Sequence, residues 1–328
     1  MLSSSSISLA EMAGAAGRLV VASGTRVLKT ALGISYARSR PKNTDPKAPI
    51  LLFTHATGFV KEMWKPVLDD KLLRHVEWVA MDHAGHGSSR AMPDSGTWED
   101  WTQADIGSVL DDLKLDQGRP VVAIGHSMGG AAIANYEVAN PGTWAHALLI
   151  EPPLFSLRQT IAGNAATLAR TLFGVEMNFL VAMQKKRKAA WPSAVEARAS
   201  MRKAFPRFDE AVLTAWQAGA LKPAASGRGA VELRLHPLDE GKFYAVVGQP
   251  MTRRRFQSAR CTFTVAAGAQ STFGFAGHVG ASYYESMVAP QLGARFVRVE
   301  DSGHFCVMER PAAVAQMIAE DLAERGLL

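Results

Sequence analysis

The 328-residue sequence predicts an α/β fold: a mostly parallel central sheet flanked by helices and interrupted by an inserted helical cap. Three observations carry this. Short apolar runs bounded by turn residues alternate with helix-length segments, which implies crossover connections. The alternation stops at residue 155 and resumes after 258. The same interval is electrically distinct: residues 155–260 hold 18 Lys/Arg against 7 Asp/Glu, a net of +11, while the rest hold 18 against 23, a net of −5. Such asymmetry marks a unit with its own partner surface.

The elements follow in order. Residues 26–40 read as two short strands around Gly33, a hairpin. Ile50–Thr54, Val76–Met81, Val121–Gly125 and Ala147–Ile150 read as buried strands. Residues 98–114 carry Trp98, Trp101, Ile106, Val109, Leu110 and Leu113 at helical spacing. A helix from Gly129 to Ala139 is closed by Asn140-Pro141-Gly142. Residues 155–258 read as mainly helical with no alternating strand. Thr262–Ala266, a helix near 281–290, Arg295–Val299 and a closing helix Ala312–Arg325 complete the pattern. The division is therefore 1–24 extension, 25–154 first core part, 155–258 basic cap, and 259–328 second core part.

Composition narrows the class. Hydrophobic residues are 48% and charged residues 20%, ordinary for a globular protein. Two cysteines, Cys261 and Cys306, exclude a disulfide scaffold and a cysteine-rich zinc module. No run of 18 apolar residues offers a spanning helix. The Ser- and Ala-rich residues 1–24 read either as a weak mitochondrial transit segment or as an N-terminal helix. Secretory features and a peroxisomal ending are missing from the sequence. The expected place is intracellular, cytoplasmic or mitochondrial. The runs Lys185–Lys188 and Arg253–Arg255 read first as a solvated basic face, and beyond that as attraction for an anionic substrate or an acidic membrane. They lack the interleaved aromatics of a nucleic-acid surface.

One motif decides the chemistry. Gly125-His126-Ser127-Met128-Gly129 follows a buried strand and opens a helix. A sharp strand-to-helix turn lifts a serine hydroxyl clear of the sheet, and flanking glycines are needed where side chains would collide. The helix N-terminus offers free N–H groups to a developing oxyanion. A serine needs a base to take its proton. His304, in Asp301-Ser302-Gly303-His304-Phe305, follows the last strand, at the carboxyl edge where sites of open α/β sheets gather.

With these residues the chain resembles an α/β-hydrolase-fold enzyme with a cap. The landmarks run in order: His55-Ala56-Thr57-Gly58-Phe59, Asp82-His83-Ala84-Gly85-His86-Gly87-Ser88-Ser89, the serine elbow, Gly303-His304-Phe305 and Glu309-Arg310-Pro311. The resemblance covers residue 26 to the end. His-Ala-x-Gly-Phe followed by Lys61-Glu62 and Trp64-x-Pro66 is similar to a subgroup of fungal peroxisomal lipase-like and toxin-biosynthesis hydrolases. The resemblance implies an oxyanion hole from the Met128 N–H and from Thr57, or from Ala56 if the loop is shifted by one. The common position for the triad acid fails. No Asp or Glu lies between Cys261 and Tyr284, and Ser271 stands where an aspartate often stands. Glu151, 24 residues after Ser127, is the replacement, as in haloalkane dehalogenase-like relatives; Asp301 is the fallback. His55, His83, His86 and His126 read as packing or turn residues.

The function this implies is a serine hydrolase of an ester, thioester or related acyl bond, an esterase/lipase-like enzyme with Ser127, His304 and Glu151 as triad. A carbon–carbon bond hydrolase with the same triad and a non-catalytic small-molecule receptor are the alternatives. Dehalogenase and epoxide hydrolase chemistry need an aspartate nucleophile. Neither cofactor nor metal is expected. The partner expected is a small acyl substrate, anionic or fatty-acyl, with peripheral membrane contact through the basic cap. Leu168, Leu172, Phe173, Val175, Phe179, Leu180 and Met183 are the expected walls of an acyl pocket.

Overall fold

The computed structural model describes residues 25–41, 45, 47–114, 118–173, 178–245, 248–275 and 278–328. The expectations for residues 1–24 lie outside them. Eight strands form the central sheet: β1 (Thr25–Lys29), β2 (Ser35–Ser39), β3 (Ile50–Thr54), β4 (Trp78–Met81), β5 (Val121–His126), β6 (His146–Ile150), β7 (Thr262–Gly268) and β8 (Arg295–Val299). Their order is β1-β2-β4-β3-β5-β6-β7-β8. The β1–β2 and β2–β4 pairs are antiparallel; all others are parallel. The expected hairpin is thus present, with Gly33 at φ 83°, a conformation that glycine adopts without strain.

Alternation along the strands sorts side chains to two faces. Leu51, Phe53, Val122, Ile124, Leu148 and Ile150 point into one core, beside Trp64, Trp216 and Ile318. Ile50, Leu52, Val121, Ala123, Ala147 and Leu149 point into the other, against Ile106, Val109 and Ala131. Both faces are covered, which is why these strands read as continuous apolar runs. Helix α1 (Trp98–Leu113) starts on a capping box between Thr97 and Asp100, satisfying donors that a helix start leaves unpaired. Helix α2 (Met128–Ala139) follows β5 directly.

The cap carries helices α3 (Leu157–Phe173), α4 (Phe179–Gln184), α5 (Ala194–Ala204), α6 (Glu210–Ala220) and α7 (Pro237–Ala245). It also carries a three-stranded antiparallel sheet of Ala190–Trp191, Val231–Leu233 and Leu221–Pro223. That corrects the reading of the insertion as helical without strands. Strands of two and three residues are too short to leave a period-two signature. The closing helix α8 is Pro311–Glu324. Among the described residues no helix is long and apolar enough to cross a membrane.

A buried charge network ties the loop after β3 to the loop after β4. The Lys61 ammonium, 3% exposed, donates to Asp82 Oδ2 at 2.7 Å and meets Glu62 Oε1 at 2.6 Å. The Asp82 carboxylate also accepts the N–H groups of Lys61 and Ser88. Burial alone would lower the Lys61 pKa; the two carboxylates outweigh it and push it up. Removing one partner of a buried pair strands the other charge. Lys61→Met is therefore expected to cost roughly 3–5 kcal/mol of stability, measured as a lowered urea midpoint at unchanged slope.

Candidate active site

The sheet register brings four distant segments to one edge. His126 pairs with Ile150, Ile150 with Ala266, and Gly268 with Val299. Each chain then continues one bond beyond its strand: Ser127 N–H donates to Ile150 O at 2.8 Å, Glu151 N–H to Ala266 O at 2.8 Å, and Ala269 N–H to Val299 O at 3.0 Å. Residues 127, 151, 269–273 and 300–304 therefore share the carboxyl edge of the sheet.

Ser127 adopts φ 51° and ψ −121°, a backbone state that costs a non-glycine residue of order 1–3 kcal/mol. The turn holds it there because strand and helix touch. A Cβ on Gly125 would lie 2.5 Å from the Gly129 carbonyl carbon, and one on Gly129 would lie 2.6 Å from the Thr54 carbonyl oxygen. The two glycines are thus required by close approach, as the motif predicted. Ser127 precedes α2 without using its side chain as a cap, so its hydroxyl is not spent on the helix. The first N–H groups of α2, beginning with Met128, have no intrahelical partner and sit at the positive end of the helix dipole.

His304 Nδ1 lies 2.6 Å from Glu151 Oε2. The carboxylate is fully buried and tightly held. Oε2 also accepts the Ser271 hydroxyl at 2.8 Å, and Oε1 accepts the Gly268 N–H at 2.9 Å. The Phe273 N–H donates to Ser271 Oγ at 3.2 Å, which leaves the Ser271 proton for Glu151. So Ser271 holds the same carboxylate oxygen that faces the His304 ring. The Phe273 ring stacks on the His304 imidazole, 4.1 Å between centroids and 19° from parallel. On the neighbouring side lies His126, whose ring is 5.3 Å away and whose Nε2–H donates to the His304 carbonyl at 2.8 Å. Burial, and secondarily His304, lowers the His126 pKa to about 3; it is a neutral strut. The fallback acid Asp301 is 61% exposed and pairs with Arg310, away from His304 Nδ1.

The loop after β3 meets this edge. His55 Nδ1–H donates to Ala56 O at 2.8 Å and its Nε2 accepts the His83 N–H at 3.1 Å. His86 Nδ1–H donates to Ala84 O and its Nε2 accepts the Gly58 N–H at 3.0 Å. Burial lowers both pKa values well below the usual histidine range, so both rings are neutral and structural. His83 Nδ1 is 3.4 Å from Asp105 Oδ2. The N–H groups of Gly58 and Phe59 are spent, the latter on Ala56 O, which keeps the loop's donor candidates at Thr57 and Ala56. Among the described residues no group of three or more His, Cys, Asp or Glu side chains could hold a metal ion.

Sequence reasoning missed how the cap contributes. Tyr244 on α7 lies beside Thr57 and donates to Glu240 Oε1 at 3.3 Å, and that carboxylate packs on Gly58, where a Cβ would lie 2.5 Å from it. Glu240 is in turn paired with Arg187. Burial raises the Glu240 pKa despite that arginine. An aromatic cluster joins cap to core beside His304: Phe205 and Phe208 of the cap lie 5.1 and 5.6 Å from Phe305, and Phe59 lies 5.6 Å from it. The phenylalanines at 205 and 208 bracket a break between two helices and carry no periodic signal. Four of the seven expected pocket walls are exposed. Leu168 and Leu172 are 57% and 62% exposed, and Leu180 and Met183 are also exposed; the side chains of Phe173, Val175 and Phe179 lie outside the described residues. Helical spacing locates a face and not the direction it points.

A doubly covered, mostly parallel sheet with a strained serine elbow at its carboxyl edge defines a class of α/β hydrolases. The chain belongs to the alpha/beta hydrolase family, whose model matches residues 51–317. It is 27% identical over 187 residues to the type I acyl-CoA thioesterase mpaH of Penicillium brevicompactum; the match is 53% of this chain and 41% of that protein, so the chain spans less than half the relative's length. The peroxisomal alpha-beta-hydrolase Lpx1 of Saccharomyces cerevisiae superposes with a TM-score of 0.70 at 16% identity, covering 93% of this chain and 89% of that one. The Mycobacterium tuberculosis esterase Rv0045c superposes with a TM-score of 0.65 at 20% identity, covering 96% and 97%. At such identities these structures establish the fold.

Proposed function

We propose that the chain is a serine hydrolase that cleaves acyl esters or thioesters through an acyl-enzyme. The observation that carries this reading is the His304–Glu151 pair, 2.6 Å apart, at the sheet edge that holds the strained serine. Ser127 Oγ attacks the acyl carbonyl while His304 Nε2 takes its proton. The imidazolium is held by Glu151, which remains ionised. The Met128 N–H and the Thr57 N–H receive the oxyanion. Collapse of the tetrahedral intermediate breaks the bond to the alcohol or thiol, which leaves with the proton from His304. Water, deprotonated by the same ring, then frees the acid. Phe59, Phe205, Phe208 and Phe305 supply an apolar wall for the acyl group.

The thioester is the preferred substrate class. The acyl-CoA thioesterase relative supports it, and so does the positive charge of the cap, which complements a phosphate-bearing leaving group. The receptor reading drew its support from the missing acid after β7; Glu151 answers that objection, and no observation favours a carbon–carbon bond. The test is fluorophosphonate labelling of the purified protein together with turnover of fatty acyl-CoA and the matching p-nitrophenyl esters. The expected result is labelling, and kcat/KM higher for the thioester. A folded protein that neither labels nor turns over any of them would sink the proposal; turnover of the esters alone would remove only the thioester preference.

A further inference from the structure

Cap helix α3 is inside out. Residues on an α-helix advance by about 100° each, so Leu157, Ile161, Leu168 and Leu172 fall within about 60° of one another. They are 54%, 60%, 57% and 62% exposed. The opposite side holds Gln159 and Gly163, both buried, with Thr160 buried on the flank, and Gln159 Oε1 accepts the Tyr283 hydroxyl at 2.9 Å. A surface helix ordinarily turns its apolar stripe inward. Exposed apolar residues scattered singly need no explanation; a contiguous row marks a docking face.

The charge around that row identifies its occupant. The Met251 N–H donates to the Phe155 carbonyl at 2.6 Å, two residues before Arg253 in one segment and two before α3 in the other. Both are exposed, and neither meets a carboxylate among the described residues. Arg158, on α3 itself, is exposed as well. A branched apolar row with cations beside it is the composition of a helix lying in a lipid–water interface. A second copy of the chain fits less well, because a two-fold interface through this face would set the arginines of one copy near those of the other.

We propose that α3, flanked by Arg158, Arg253 and Arg254, is the face by which the cap lies on a membrane rich in anionic headgroups. The leucines and the isoleucine enter the acyl boundary and the guanidinium groups meet headgroup phosphates. The inference stands independently of the hydrolase reading.

Sedimentation with phosphatidylcholine vesicles containing roughly one part in three phosphatidylglycerol tests it. Wild-type protein should pellet with these vesicles, and stay in solution with phosphatidylcholine alone or at high salt. Ile161→Gln/Leu168→Gln, exposed positions changed to a good helix former, should lower the partition constant roughly tenfold or more. Arg253→Glu/Arg254→Glu, outside α3, should do the same with an unchanged melting curve. Wild-type protein left in the supernatant overturns the proposal, as does equal binding to the neutral vesicles. Light scattering that shows a wild-type dimer, broken by the Ile161/Leu168 variant, assigns the face to a second copy and overturns it too.

Discussion

Ser127→Ala is expected to abolish fluorophosphonate labelling and to lower kcat for an acyl substrate by roughly 10⁴- to 10⁶-fold, with the fold intact. The residual rate would come from the oxyanion donors and substrate binding, which the substitution leaves in place. Stability should respond differently to a second variant. The φ of 51° strains alanine as it strains serine, but glycine adopts it freely. Ser127→Gly should therefore be inactive and more stable than Ser127→Ala, read as a higher melting temperature. That pairing separates the chemical role of the hydroxyl from the backbone state that presents it. A Ser127→Ala protein that still labels would remove Ser127 as the nucleophile.

Glu151→Gln carries the second large effect, roughly 10⁴-fold in kcat at neutral pH, by analogy with the loss when a triad carboxylate becomes an amide. The site explains why an amide fails. Both carboxylate oxygens face donors: Gly268 N–H on one side, Ser271 O–H and His304 Nδ1–H on the other. A glutamine must aim its NH₂ at one of these sides. Facing His304, it forces the proton off Nδ1 and onto the nitrogen that must accept from serine. Facing Gly268, it sets two donors against each other inside the protein, at a cost of about 1–3 kcal/mol. Ser271→Ala should act in the same direction but weakly, roughly 3- to 10-fold in kcat, since it removes one hydrogen bond to a charged group. Glu151→Ala/Ser271→Asp returns a carboxylate to the same side of the imidazole and should recover at least a hundredfold over Glu151→Ala alone. No recovery would mean that the acid cannot be supplied from the loop after β7.

The sheet was legible because each of its parallel strands is buried on both faces and bounded by turn residues. Ile50–Thr54 and Val121–His126 could hardly read otherwise. The elbow was legible because two glycines and a helix must flank a serine held at that φ. Glu151 is marked by the family resemblance, since some relatives carry their acid after this strand and the more common place around Ser271 holds none. What supports it was not legible. That Ser271 turns its proton to Glu151 depends on a bond from Phe273 N–H, and loop backbone geometry has no period. The cap hid more. Tyr244 and Thr57 are 187 residues apart in sequence, and Leu168 faces solvent although its spacing matches a core helix. Tertiary placement decides such faces, and one chain's periodicity does not encode it.

The seating of α7 on the loop after β3 has a consequence for how this protein can change over time. Glu240 packs on Gly58, Tyr244 donates to Glu240, and Arg187 anchors that carboxylate from the cap side, next to the loop that would cradle the oxyanion. A cap so attached is not an interchangeable cassette. Trading it for one with a different pocket would alter turnover along with selectivity. New specificities therefore have to be reached by small steps that keep position 244 in place.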